Sequence, residues 1–408
     1  MIQILDKKDC CGCNACVQRC PKQCIKMQPD NEGFQYPIVD TAICISCNLC
    51  EKVCPIINDN IPQQPLKVYA AYNTDEEVRL QSSSGGIYTL LATETIKEGG
   101  VVFGVKFNEE WKPEFGYTET MEGIAPFRGS KYVQAIVGNT YKQVEEFLKN
   151  GRKVLFCGTP CQVSGLNKFL HKEYNNLLTV DIICHGVPSP KVWEMYLREK
   201  CSELMNINDG EKSQSATFDN IYYSKIETIN FRSKSAGWGK YRFLLKFADL
   251  GDNKQESVSI SETRDKNEYM RAFLSNIILR PSCYNCPAKQ GRSHSDITIA
   301  DFWGIDVIDP DFNDDKGCGA VLINTTKGAE VDVLSQTIYK EKTFDEIIKY
   351  NSSYYKSTTP HPKREEFFNH LDKADTLSNY ISAILAPSLR ERIIKKIKIY
   401  AKSILRKR

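Results

Sequence analysis

The 408-residue sequence contains no run of about 18 apolar residues, so nothing in it reads as a membrane-spanning helix. Its opening, Met-Ile-Gln-Ile-Leu-Asp-Lys-Lys, carries no apolar export segment before Cys10, so the expected location is a reducing cytoplasm. No motif for reading nucleic acid is present. Histidine is scarce, at five residues, which leaves little material for His-centred acid–base chemistry. Apolar content of 41% and charged content of 26% are ordinary for a soluble globular chain with room for two or three domains. The net charge of +3 is small but uneven: residues 388–408 carry nine Lys/Arg and one Glu, leaving the rest mildly acidic.

Cysteine is what the chain has in quantity, with seventeen in all and ten between residues 10 and 55. The first run is Cys10, Cys13, Cys16, Cys20, Pro21. Each position recurs 34 residues later, as Cys44, Cys47, Cys50, Cys54, Pro55. The spacing C-x2-C-x2-C-x3-C-P is that of bacterial two-cluster ferredoxins, in which three cysteines hold one cubane and the fourth crosses to the other. It assigns Cys10, Cys13, Cys16 and Cys54 to one [4Fe–4S] cluster, and Cys20, Cys44, Cys47 and Cys50 to a second. Three thiolates on one tight loop wrap three corners of a cube, and proline then turns the chain away. Structural zinc usually takes its cysteines as two separated pairs, and disulfide frameworks belong to short secreted chains. Cys11 and Cys24 fall outside the pattern and read as spare thiols. Residues 1–58 are therefore expected to form an α+β ferredoxin-like two-cluster domain that transfers electrons.

Within it, residues 25–40 read as a hairpin turning at Asn31-Glu32-Gly33, and residues 56–67 as a linker. A strand starts at Val68 and opens an α/β region that extends to about residue 355. Ser83, Ser84, Gly85 and Gly86 lie in a stretch opening an apolar helix at residue 81 and running to about 98. Small residues there either leave N–H groups free for an anion or simply cap the helix. Gly129, Ser130, Lys131 and Tyr132 form a loop whose lysine is either an anion contact or a solvated cation. Residues 153–157 read as a buried strand ending in Cys157. Gly158, Thr159, Pro160, Cys161 and Gln162 follow at its C-terminal end, where α/β folds place ligands. Residues 177–184 repeat the arrangement, ending in Cys184-His185-Gly186. Alternating residues from about 215 to 262 predict an antiparallel, β-rich insertion, and a helix is expected over 265–278. Next comes a C-x2-C turn, Cys283 and Cys286, followed by another buried strand at 296–301.

Cys161, Cys184, Cys283 and Cys286 thus make four candidate ligands for a third cubane, with Cys157 as a possible substitute for one of them. A structural zinc, or ordinary buried thiols at 161 and 184, are equally open on spacing alone.

Read together and in order, SSGG (83–86), GSKY (129–132), CGTPCQ (157–162), CHGVPS (184–189), the C-x2-C turn and DFWG (301–304) resemble the coenzyme F-420 hydrogenase/dehydrogenase beta-subunit family. The resemblance covers roughly residues 5–355. It implies an α/β flavin-binding domain over 66–355, with FAD contacted by the SSGG and GSKY segments and by Gly158, Thr159, Pro160 and Gln162. It also implies a third [4Fe–4S] cluster facing the flavin, and hydride exchange with coenzyme F-420. The electron partner would be a ferredoxin or another redox protein. Two other readings stay open: a ferredoxin-fed reductase on the same scaffold, acting in polysaccharide or cell-envelope biosynthesis, and a non-catalytic electron-transfer subunit of a larger complex.

Residues 356–408 read as a helical tail. From about 388, Ile393, Ile394, Ile397, Ala401, Ile404 and Leu405 recur at helical spacing among lysines and arginines. Such a basic amphipathic helix suits the inner face of an anionic membrane, or equally packing on the body or on a partner.

Overall fold

The computed structural model describes residues 1–204, 223–248 and 259–387. Near the N-terminus, β1 (Ile25–Pro29) and β2 (Gln35–Val39) pair antiparallel. Asp30 organises their turn: its Oδ1 accepts the Glu32 and Phe34 N–H groups, and Gly33 supplies the positive φ of 86°. The internal repeat is visible in the backbone. Helices Ala15–Arg19 and Leu49–Lys52 each begin after an asparagine in the left-handed region, Asn14 at φ 65° and Asn48 at φ 57°.

Eight strands form the large mixed sheet: β3 (Lys67–Asn73), β4 (Val101–Phe107), β5 (Pro113–Thr118), β6 (Val154–Cys157), β7 (Leu177–Ile182), and three more after an interruption. The interruption is a separate antiparallel sheet of β8 (Ile226–Ser233), β9 (Arg242–Phe247) and β10 (Ser259–Thr263). The large sheet then resumes with β11 (Ile297–Asp301), β12 (Gly319–Ile323) and β13 (Thr337–Glu341). Its order is β13-β3-β12-β11-β7-β6-β4-β5, and β4, β6, β7 and β11 make a parallel centre.

Those central strands are apolar on both faces because helices cover both. Val101, Phe103 and Phe156 pack with Val144 and Leu148 of helix Thr140–Lys149 and Val163 of helix Pro160–Leu170. On the other face, Val102 and Leu155 pack with Ile87 and Leu91 of helix Ile87–Lys97. The small sheet rests on a core of buried aromatics that includes Trp193, Phe231, Phe243 and Tyr269.

Three local expectations shift. The helix expected to open at residue 81 begins at Ile87, after a separate helix Glu76–Gln81, with Gly86 at φ 81° just before it. The cause is Gly85, which lies against the main chain of two strands: a Cβ there would stand 2.5 Å from the Ala71 carbonyl oxygen and 2.7 Å from the Gly319 nitrogen. Strand β7 ends at Ile182, short of Cys184. The helix expected over 265–278 runs only Glu268–Leu274, and Asn276 then takes a φ of 66°. Residues 215–222 and 249–258 of the expected insertion, and the basic tail from 388, lie outside the described residues. Among the described residues no helix is long and apolar enough to cross a membrane.

The tight seat of Gly85 predicts that Gly85→Ala lowers stability by about 1–3 kcal/mol, because the neighbours are main chain and cannot rotate away. Chemical denaturation of the variant tests this, and an unchanged midpoint would refute it.

Candidate functional site

The thiols gather in three places. Burial pushes the Cys16 thiol above its usual value, and nearby Cys10 and Cys54 add to the effect. Cys13 senses Cys16 and Cys54, and Cys54 senses Cys10, so these four share one neighbourhood. Cys20, Cys44, Cys47 and Cys50 line a second, small hollow together with Cys24 and the N-terminal Met1. The third gathering joins distant segments. Cys184 is pushed up to about 12 by burial, with Cys161 and Cys286 adding to it, and burial likewise raises Cys283, which feels Cys184, Cys286 and Cys161.

Local structure explains how that third set is assembled. Cys161 is the second residue of helix Pro160–Leu170, whose start is fixed by a capping box: the Thr159 N–H donates to Gln162 Oε1 at 2.9 Å. Cys184 follows β7. The Cys283/Cys286 turn is a short 3-10 segment, Pro281–Asn285, and Cys283 Sγ accepts the Val187 N–H at 3.4 Å. The chain after that turn is tied back to β7 by two buried aspartates. Asp181 accepts Ser293 Oγ and Thr298 Oγ1, each at 2.6 Å, and Asp296 Oδ2 accepts the Thr179 N–H at 2.8 Å. Lys289 Nζ donates to the carbonyls of Cys184 and Ser353, both at 2.6 Å. Among the described residues, no three His, Cys, Asp or Glu side chains converge closely enough to hold a single metal ion.

Beside the third set opens a cavity of ≈ 450 Å³, within the range of small-molecule and cofactor sites. Cys184, Gly186 and Val187 form one wall. Residues 82–86 and the loop at 127–133 also line the cavity, joined where the Ser130 N–H and Oγ both donate to Ser83 Oγ, at 2.8 and 3.0 Å. Lys131 is half-buried as a residue, but its ammonium turns in against the Arg128 and Gly129 carbonyls at 3.0 and 3.3 Å. No carboxylate among the described residues pairs with it, and burial pulls its pKa down to about 7. Two further polar atoms in the wall have no hydrogen-bond partner among the described residues: Arg232 Nε and Tyr88 Oη.

Eleven of the twelve residues expected to contact a cofactor line this cavity, from Ser83 through Gln162. The exception is Pro160, which instead occupies the first turn of its helix, where its missing N–H costs nothing. Cys157 also lines the cavity, but the charges acting on it are Asp181 and Lys131, which sets it apart from the third thiol group. The spare thiols are not isolated. Cys24 Sγ lies 3.3 Å from Cys20 Sγ, and Cys11 is buried against both Cys13 and Cys161.

Sequence reasoning left several wall residues unassigned. Arg232 forms a buried, two-point ion pair with Asp301 at 2.9 and 3.1 Å, and the Trp238 indole N–H donates to the same carboxylate at 3.0 Å. Burial opposes the Arg232 charge, but Asp301 overcomes it and holds the guanidinium above its ordinary value. Trp238 and Trp303 stack at 4.9 Å. His185 lies in the wall with Nε2 2.7 Å from Asn276 Oδ1, and burial lowers its pKa, keeping the ring neutral at pH 7. DFWG and CHGVPS carried Asp301, Trp303 and His185 in plain sight, whereas Arg232, Tyr88 and Tyr241 had no signal.

Residues 68–140 match the family described as coenzyme F420 hydrogenase/dehydrogenase, beta subunit N-term, and residues 151–343 match the C terminus of the same beta subunit. Residues 9–56 match a 4Fe-4S dicluster domain. Among solved structures, the chain is similar to one from the F420-reducing [NiFe] hydrogenase complex of Methanosarcina barkeri. The identity is 15%, the match covers 76% of this chain and 91% of that one, and the TM-score is 0.44. No curated protein matches the sequence.

The depressed Lys131 pKa gives the cavity a pH signature. Between about pH 7 and 10.5 the unfolded chain holds this proton and the folded chain does not, so this group's contribution to stability rises with pH across that window. An anion in the cavity favours the charged amine and draws the proton back. Pyrophosphate affinity is therefore expected to fall above about pH 7, approaching tenfold per pH unit. Titration calorimetry of the wild type and Lys131→Met checks this; equal pH slopes in the two would exclude the lysine as the cause.

Proposed function

As this chain belongs to the coenzyme F420 hydrogenase/dehydrogenase beta-subunit family, we propose that it is an iron–sulfur flavoprotein oxidoreductase. In this reading residues 1–58 carry two [4Fe–4S] clusters, on Cys10, Cys13, Cys16 and Cys54 and on Cys20, Cys44, Cys47 and Cys50. Residues 66–355 bind FAD in the main cavity and a third cluster on Cys161, Cys184, Cys283 and Cys286. The second substrate is coenzyme F420 or a related hydride carrier, and the electron partner is a ferredoxin or similar redox protein.

The observation that carries the proposal is adjacency: the cavity is lined by Cys184, one member of a four-thiol set, and that set touches the N-terminal thiols through Cys11. A bound flavin takes two electrons as hydride and releases them singly, as cubanes require. The chain's own residues serve binding and positioning. Residues 83–86, just before helix Ile87–Lys97, suit the pyrophosphate as a helix N-terminus, and Lys131 adds a cation. Tyr88 Oη and Arg232 Nε offer unspent donors to a polar ring edge, and Trp303 and Tyr241 give the wall an aromatic surface. No side chain is required as a general acid or base, which accords with a neutral, hydrogen-bonded His185.

Anaerobic purification with iron, sulfide, zinc and flavin analysis tests the reading. About twelve irons and one FAD per chain are expected, four irons to a cubane. A count of about eight irons with one zinc and no flavin would overturn it and leave an electron-carrying subunit. In addition, Cys283→Ser is expected to lose about four irons while the two N-terminal clusters survive; loss of all twelve, or of none, would contradict the ligand assignment.

A further inference from the structure

Arg280 is fully buried, and among the described residues its charge has no acidic partner. Its guanidinium donates to the Cys10 carbonyl at 2.8 Å, to Gln134 Oε1 at 3.1 Å and to the Gln35 carbonyl at 3.0 Å, all of them neutral acceptors. Its faces are covered by the rings of Tyr36, 4.2 Å from centroid to guanidinium carbon, and Phe34, at 5.5 Å. Gly12 is pressed so close that a Cβ would stand 3.1 Å from the guanidinium carbon. Among the described residues no Asp or Glu forms an ion pair with it. An isolated buried cation is costly, and such groups are normally paired.

The residue's position says what balances it. Arg280 immediately precedes the 3-10 turn that carries Cys283, and its carbonyl accepts the Cys283 N–H at 2.9 Å. Its side chain reaches across to the loop of Cys10. Burial works against its charge, and the groups that favour it are Cys10, Tyr36, Cys11 and Cys283. Two of these belong to different proposed clusters. A cubane held by four thiolates is a net anion, and one-electron reduction adds a further negative charge without making or breaking a bond.

We propose that Arg280 is the shared counter-ion of the first N-terminal cluster and the third cluster, and that its charge raises the reduction potential of both. The inference rests on the cluster reading above. It makes Arg280 a positioning and tuning residue for electron passage between the two lobes, distinct from any ligand. Lys289, buried against the Cys184 and Ser353 carbonyls without a carboxylate among the described residues, is a second cation beside the third thiol set. Cys20, Cys44, Cys47 and Cys50 are not among the groups that favour the Arg280 charge, and that set serves as the internal control.

The test is a dithionite redox titration of the full-length, anaerobically purified protein, followed by electron paramagnetic resonance. Arg280→Met is expected to weaken the reduction of two clusters at least tenfold, about 59 mV for one electron, and to leave the remaining one unmoved. Arg280→Lys is expected to recover most of the shift. Gln134→Glu provides a second route, since it sets a carboxylate beside the intact guanidinium and is expected to lower the same two potentials. If the Met variant does not fold, Gln134→Glu decides the matter alone. Unchanged potentials in an iron-replete variant, or an equal shift in every cluster, overturn the proposal and reduce Arg280 to a packing residue. The iron count is made before the titration, so a wild-type chain without cubanes refutes the cluster reading, and this proposal with it, by a separate observation.

Discussion

Most of the cysteines in this chain are held where burial and one another's company resist ionisation, and the rest of the architecture accommodates that constraint. Cys13, Cys16 and Cys54 in one lobe, and Cys161, Cys184, Cys283 and Cys286 in the other, are all pushed above the ordinary thiol value, with burial a leading cause. Metal binding requires thiolates, so occupancy of such sites releases protons and feeds directly into stability. Neutral thiols can be packed in the apolar interior at little cost. What costs more is bringing four of them from three separated segments to one place. The capping box at Thr159, the Asp181 and Asp296 anchors and the Lys289 bridge do that.

The parts of this design that were legible from the sequence are those written locally. The cysteine repeat is a matter of spacing, and its echo in the left-handed Asn14 and Asn48 follows the same register. Strands β4, β6 and β7 announce themselves as apolar runs, because a parallel centre covered on both faces needs them. The SSGG and GSKY segments were readable as short motifs, and they meet in space through Ser83 and Ser130.

The parts that escaped are pairings across the chain. Nothing near Arg232 in sequence signals a bond to Asp301, and nothing near Arg280 points to the Cys10 loop, since the two are 270 positions apart. Cys11 looked surplus because a spacing pattern scores only what recurs; its burial between Cys13 and Cys161 comes from docking the two lobes. The early start assigned to the helix ending at Lys97 failed for a similar reason. Helix propensity cannot register that Gly85 will press on the main chain of Ala71 and Gly319, two strands far apart in sequence.

The strand order carries a consequence for how the molecule is made. β3 is the first strand of the large sheet to leave the ribosome, yet its two neighbours, β12 and β13, are the last two strands of that sheet in chain order. Both edges of residues 67–73 stay unpaired through the synthesis of some two hundred and fifty residues, a long wait for an apolar segment with free hydrogen-bonding edges. Closure of the sheet around β3 is therefore a non-local event that waits on strands made long after it.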